Sequence, residues 1–123
     1  MMINWFEIPV SSYDRAKAFY ESLFSITMET LELGGAFKMG LFPSTKHNEG
    51  GAICFHPEFY FPGNQGPLIY LDASPNLSIV AARVEELGGR LLIQPRQITV
   101  ERGYMALMQD TEGNRIALQA KML

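Results

Sequence analysis

The residues able to do chemistry are few and fall in short stretches. Cys54 and His56 stand at i and i+2 in the run Gly51–His56, so on a strand both side chains point to one side. A thiol and an imidazole on one face are donors that zinc accepts. A free cysteine is as readily a small buried hydrophobe. Cys54 also lacks the flanking cation that would lower a thiol pKa and make it a nucleophile. Near the start, Trp5 and Glu7 alternate with Phe6 and Ile8 in INWFEIPV, which sets an indole and a carboxylate on one strand face. Glu7 is a candidate base, or else the partner of a nearby hydroxyl or imidazole, because buried carboxylates are rarely left unpaired. His56 precedes Pro57 and could simply close its strand at the surface. His47 sits in the polar loop Pro43–Gly50 and is expected to be solvated, and Met28, Met39, Met105 and Met108 are expected in the core. No phosphate-binding loop, no dinucleotide-binding glycine turn and no nucleophile elbow is present.

The elements that must hold these residues follow from the pattern. Ile3–Val10 predicts a strand. Ser11 and Asp14 match a capping box, and Ala16, Phe19, Tyr20, Leu23 and Phe24 at helical spacing predict a helix over Ser12–Phe24. Strand-like runs follow at Ile26–Leu33, Ala36–Phe42 and Gly51–His56, the first two separated by the turn signal Gly34-Gly35. Pro57–Pro67 has the composition of a linker, but Phe59, Tyr60 and Phe61 inside it are too apolar for a solvated tether. The second half repeats the order. Leu68–Ala73 predicts a strand, and Ser74 with Pro75 predicts an N-cap and first helical residue. Leu77, Val80, Ala81, Val84 and Leu87 form the helix stripe, which Gly88-Gly89 ends. Arg90–Ile98, Gly103–Gln109 and Arg115–Ala120 are strands, with Asp110–Asn114 as a hairpin loop. The halves superimpose as a duplicated β-α-β-β-β module at an offset of 63 residues, Trp5 on Leu68, Val10 on Ala73 and Ile53-Cys54-Phe55 on Ile116-Ala117-Leu118.

Composition removes several functional classes. The chain has 123 residues, enough for one domain, and its 47% hydrophobic and 19% charged content argues against disorder. With a net charge of −3 and ten scattered basic residues it has no stripe to follow a phosphate backbone, so no nucleic acid is expected. One cysteine cannot make an intrachain disulfide and suits a reducing, cytoplasmic location. No apolar run approaches the roughly 20 residues of a membrane span, and the start lacks a signal-peptide pattern, so no membrane partner is expected.

Three segments, WFEIPV…DRAKAFYESLF, LGGRLL and DTEGNRIAL, resemble the vicinal oxygen chelate superfamily, which contains glyoxalase I, bleomycin-resistance proteins and extradiol dioxygenases. The likeness spans essentially the whole chain and is nearest to the small bacterial glyoxalase-related subgroup. It implies an α+β fold, one glyoxalase-like domain of two tandem βαβββ modules (about 1–57 and 67–123, linker about 58–66) whose mixed sheet forms a cup around the ligand. In metal-dependent members four ligands come from positions that match Trp5, Cys54, Leu68 and Ala117 here. None is a carboxylate or imidazole, so the resemblance implies no inherited metal and no cofactor. Family topology also lays Glu7 beside Cys54 and His56, which leaves a non-inherited Glu7–Cys54–His56 zinc site as an alternative.

The resemblance implies that the positions two residues on share the cup face. Glu7 would then stand opposite Tyr70, and His56 opposite Gln119. The expected site has Glu7 and His56 as catalytic groups, with Trp5, Cys54, Leu68, Tyr70, Ala117 and Gln119 contacting the substrate and no metal. The expected function is a metal-independent lyase or isomerase acting on a small oxygenated molecule. The alternative is a protein that sequesters a small molecule, as bleomycin-resistance proteins do. The expected partners are a small-molecule ligand and a second copy in a homodimer, with the Phe59-Tyr60-Phe61 run at the contact and modules exchangeable between chains.

Overall fold

A computed structural model describes residues 3–44 and 50–123. The elements are β1 (Trp5–Pro9), α1 (Tyr13–Phe24), β2 (Glu29–Glu32), β3 (Lys38–Leu41), β4 (Gly50–Phe55), β5 (Ile69–Asp72), α2 (Leu77–Glu86), β6 (Arg90–Thr99), β7 (Gly103–Gln109) and β8 (Arg115–Ala120). They form two mixed sheets of order β1-β4-β3-β2 and β5-β8-β7-β6. In each, the opening strand runs parallel to the closing one and the other pairs are antiparallel. The fold is α+β, two tandem βαβββ modules, in two compact units that divide between Pro62 and Gly63.

Both helices begin later than the sequence suggests. The N-cap of α1 is Ser12, not Ser11, and the Ser12 side chain makes no capping hydrogen bond. The N-cap of α2 is Asn76, so Pro75 lies outside the helix. The reason is local. The Asp72 carboxylate accepts the Ser74 N–H (2.9 Å), which makes 72–74 a turn. The C-terminal chain then supplies the acceptor for the helix start, with Leu77 N–H donating to the Met122 carbonyl (3.0 Å). The end of α2 is as expected. Gly88 is left-handed (φ +102°), and Gly89 N–H reaches Val84 O (2.9 Å) while Gly88 N–H reaches Glu85 O (3.3 Å).

The modules are filled differently. In module 1 the Phe6 ring lies over Gly51, and the Tyr13 hydroxyl and Ile53 crowd Gly40, where no Cβ would fit. Glycine at these strand positions lets aromatic side chains sit between α1 and the sheet. In module 2, α2 buries Leu77, Val80, Ala81 and Val84 against β6, β7 and β8. Met28, Met105 and Met108 are buried as expected, and Met39 is half-buried.

The strand register corrects the internal repeat. Pro9 pairs with Cys54, and Asp72 pairs with Gln119. Correspondingly, Val10 N–H donates to Cys54 O (2.9 Å) and Ala73 N–H to Gln119 O (2.8 Å). The opening strands therefore superimpose at 63 residues and the closing strands at 65. The counterpart of Cys54 is Gln119, and that of Ala117 is Ala52. A slip of two residues keeps every side chain on its face, so apolar alternation cannot detect it.

Candidate functional site

One face of the first sheet gathers the chemistry of module 1. Registered partners share a face, so Trp5, Glu7 and Pro9 of β1 lie with Gly50, Ala52 and Cys54 of β4, and Met39 and Leu41 of β3 continue the row. The opposite face carries Phe6, Ile8 and Ile53 toward α1. On the first face Glu7 takes a donor on each oxygen. Tyr60 O–H donates to Oε1 (2.7 Å), and Trp5 Nε1–H donates to Oε2 (3.3 Å). Tyr60 comes from the segment after β4, 53 residues further along the chain. Its ring rests on Phe37 (centroids 5.6 Å apart).

Cys54 lies beneath this pair and is fully buried. Burial, then the Glu7 charge, then a hydrogen bond to Glu7 push its thiol up to about 12. Tyr60 is raised too, first by burial and then by its bond to Glu7. Both groups keep their protons around the carboxylate. Glu7 reads as the acceptor at the centre of a small donor cluster, and Cys54 as an inert thiol.

His56 takes another direction. Its Nδ1 accepts the Glu58 N–H (3.1 Å), so the neutral ring carries its proton on Nε2. The ring packs on Phe59 (4.6 Å) and Phe37 (6.1 Å). Among the described residues no group of three His, Cys, Asp or Glu side chains gathers to hold a metal ion. The alternative zinc site of Glu7, Cys54 and His56 is therefore not assembled, because His56 is drawn into an aromatic stack. His47 lies outside the described residues.

In module 2, Tyr70 pairs with Ala117 and Asp72 with Gln119, which puts these four on one face. Ala117 is buried, Leu68 and Gln119 are half-buried, and Tyr70 is 49% exposed. Tyr70 and Gln119 line a pocket of about 390 Å³ with Asp72, Ser74, Arg102 and Lys121. The four residues at the metal-ligand positions do not fit a divalent ion. Trp5, Leu68 and Ala117 offer no ligand atom, which leaves Cys54 as a single donor where a bound divalent ion needs several. Using the register counterpart Ala52 in place of Cys54 removes that last donor as well.

The structure thus brings together Trp5, Glu7 and Cys54 in one module, and Tyr70 and Gln119 in the other. Sequence reasoning missed Tyr60. The signal was there, a hydroxyl-bearing aromatic inside an otherwise glycine- and proline-rich segment that had to pack on something. It also missed Arg102 and Lys121, which look like ordinary surface cations until the pocket is seen.

A family model described as the glyoxalase/bleomycin resistance protein/dioxygenase superfamily matches residues 2–118. No curated protein matches the chain. Among solved structures, a glyoxalase/bleomycin resistance protein/dioxygenase family enzyme from Burkholderia phytofirmans PsJN superimposes with a TM-score of 0.69 at 16% identity, covering 97% of this chain and 98% of that one. TnmS3, an antibiotic binding protein from Streptomyces sp. CB03234, gives 0.65 at 21% identity over 98% and 95% of the two chains. A glyoxalase I mutant from Zea mays gives 0.64 at 15% identity, covering 95% of this chain and 45% of that one. At these identities the likeness is one of fold.

Proposed function

This chain belongs to the glyoxalase/bleomycin resistance protein/dioxygenase superfamily, and from that premise we propose that it binds a small molecule on the Trp5–Glu7 face of module 1 without a metal. The observation that carries this reading is the double engagement of Glu7 by Tyr60 and Trp5. A carboxylate fixed by two donors is oriented, and each oxygen keeps a second lone pair for a ligand N–H or O–H. The Trp5 indole, 43% exposed, offers an apolar surface beside it. A few polar groups set on an apolar face are the usual form of a small-molecule site. The ligand class is a compound with an apolar or aromatic body and a donor group.

A second reading, transformation of a small oxygenated substrate with Glu7 as base, draws on the same cluster. Tyr60 and Trp5 fix the Glu7 carboxylate in one orientation, which is what a general base needs to meet a substrate proton. The proposal also includes a cytoplasmic homodimer that covers Phe59 and Phe61, each 71% exposed. Light scattering at 13.8 kDa would remove the dimer.

The chain has one tryptophan, so fluorescence reads this face alone. A screen of small aromatic amines and phenols should give saturable changes in Trp5 emission that chelators leave intact. Glu7→Gln should weaken the best hit by about tenfold, the loss of one charge-assisted hydrogen bond. Ligand consumption during the titration would promote the second reading. Binding abolished by chelation and restored by a metal would overturn the metal-free proposal.

A further inference from the structure

The pocket in module 2 has a chemistry that the reading of module 1 does not use. It sits where β5 and β8 end and where the β6–β7 turn folds over them, and its walls are Tyr70, Asp72, Ser74, Arg102, Gln119 and Lys121. The turn is tied down from three sides. Arg102 N–H donates to Thr99 Oγ1 (2.9 Å), Gln119 Nε2–H donates to Arg102 O (3.0 Å), and the Lys121 ammonium donates to Glu101 O. Gly103 permits the approach. It is left-handed (φ +80°), and a Cβ there would run into the Ala120 carbonyl. The backbone that carries Arg102 is thereby held against the strand ends.

The side chains that face the pocket are left with unused capacity. Among the described residues the Arg102 guanidinium and the Tyr70 hydroxyl have no hydrogen-bond or ion-pair partner. The Gln119 amide spends its N–H on Arg102 O, so its oxygen remains an acceptor. Two cations stand against the one carboxylate of Asp72, an oxygen of which already accepts the Ser74 N–H.

We infer that this pocket binds the oxyanion end of a small organic molecule, a carboxylate or phosphoryl group, on Arg102 and Lys121, with the body of the molecule against the Tyr70 ring. A guanidinium fork pairs two oxygens at once, and an ammonium adds a point charge. A pocket of about 390 Å³ is of the size that small ligands occupy. Asp72, also in the lining, selects against a second negative charge on the body. The inference stands apart from the Trp5–Glu7 proposal, because neither its residues nor its test involve module 1.

The test is a side-chain NMR titration of the full chain with benzoate, phenyl phosphate and inorganic phosphate, and with benzylamine as the cation control. The expected result is a saturable shift of the Gln119 amide and Arg102 Nε signals with benzoate or phenyl phosphate and none with benzylamine. Arg102→Gln should lose about tenfold in affinity, and Tyr70→Ala should lose affinity for the aromatic probes but not for inorganic phosphate. Both substitutions are at exposed positions, and an unchanged amide spectrum elsewhere verifies the fold. Preference for benzoate over phenyl phosphate would mark a carboxylate site, and the reverse a phosphoryl site. The inference is overturned if no probe shifts these signals at millimolar concentration, if benzylamine shifts them equally, or if Arg102→Gln binds as the parent does.

Discussion

Module 1 and module 2 share strand order and helix placement, yet they keep their carboxylates in different places. In module 1 Glu7 lies on the open sheet face, held by Tyr60 and Trp5. In module 2 the same position is Tyr70, and the buried carboxylates are Asp110 and Glu112 in the β7–β8 loop, of which Asp110 gathers the turn's N–H groups. Asp110 Oδ1 accepts the N–H groups of Glu112 (2.8 Å) and Asn114 (2.9 Å), and Oδ2 accepts Asn114 Nδ2–H (3.0 Å). Gly113, left-handed at φ +90°, closes the turn. Duplicated topology thus does not mean duplicated chemistry. One acid organises a turn, and the other is held half-buried on a sheet face by two side-chain donors.

The largest expected effect tests that division. Asp110→Ala removes the acceptor that two backbone N–H groups and one amide N–H share in this buried turn, and should cost about 3 kcal/mol of stability. Urea unfolding followed by circular dichroism measures it. Glu7→Gln in the same assay should cost much less, since its partners lie on a half-exposed face. A reversed order would mean that Glu7, not Asp110, is the structural acid.

The sequence made topology legible and left register and partners hidden. Strand and helix order could be read because apolar periodicity and glycine punctuation are local, as in the Gly88-Gly89 stop. The two-residue shift between Cys54 and Gln119 could not, since alternation repeats every two residues. The late start of α2 depends on Met122, 45 residues beyond Leu77, and no local signal reports such a partner. For the candidate site, Glu7 and Trp5 stood out by type and spacing. Tyr60 did not, because its role is fixed by where a segment without regular structure turns back.

The next effect in size belongs to the thiol, which only module 1 has. Tyr60→Phe should cost about 1 kcal/mol at neutral pH by removing one hydrogen bond. The pH dependence is more telling. The folded-state pKa of Cys54 lies near 12, above the 9.0 of an ordinary thiol. Its stabilising contribution is therefore complete below pH 9 and lost as pH rises toward 12, at about 1.4 kcal/mol per pH unit. Urea midpoints across that window should fall for the parent and fall less for Cys54→Ala. Glu7→Gln should bring the thiol down, because the Glu7 charge and hydrogen bond both raise it, though burial keeps it above the ordinary value. Iodoacetamide labelling against pH reads that shift. Equal alkaline slopes in the parent and Cys54→Ala would remove the thiol from the comparison.

The smallest effect separates the two helix ends. α2 stops on Gly88, whereas α1 stops on Ser25, which is left-handed at φ +54° without the freedom of glycine. Module 1 compensates with a side chain. Glu21 in the last turn of α1 accepts the Met28 N–H (2.7 Å) and pairs with Lys17 (3.3 Å), which fixes the chain leaving the helix. The Met28 bond, then the hydrogen bond and charge of Lys17, hold the Glu21 carboxyl below its usual range against the opposing effect of burial. The folded-state pKa is depressed, so this contribution is present above the ordinary value of 4.5 and is lost as pH falls through the folded value. Glu21→Gln keeps an acceptor for Met28 but removes the charge. It should lower the thermal midpoint slightly at pH 7 and leave it unchanged in strong acid, where the parent carboxyl is protonated too. In α2, Glu85 accepts the Leu91 N–H only at 3.4 Å, and the exit is also closed by backbone bonds at Gly88 and Gly89, so Glu85→Gln should show a weaker dependence. If both variants titrate alike, Glu21 is not what secures the end of α1.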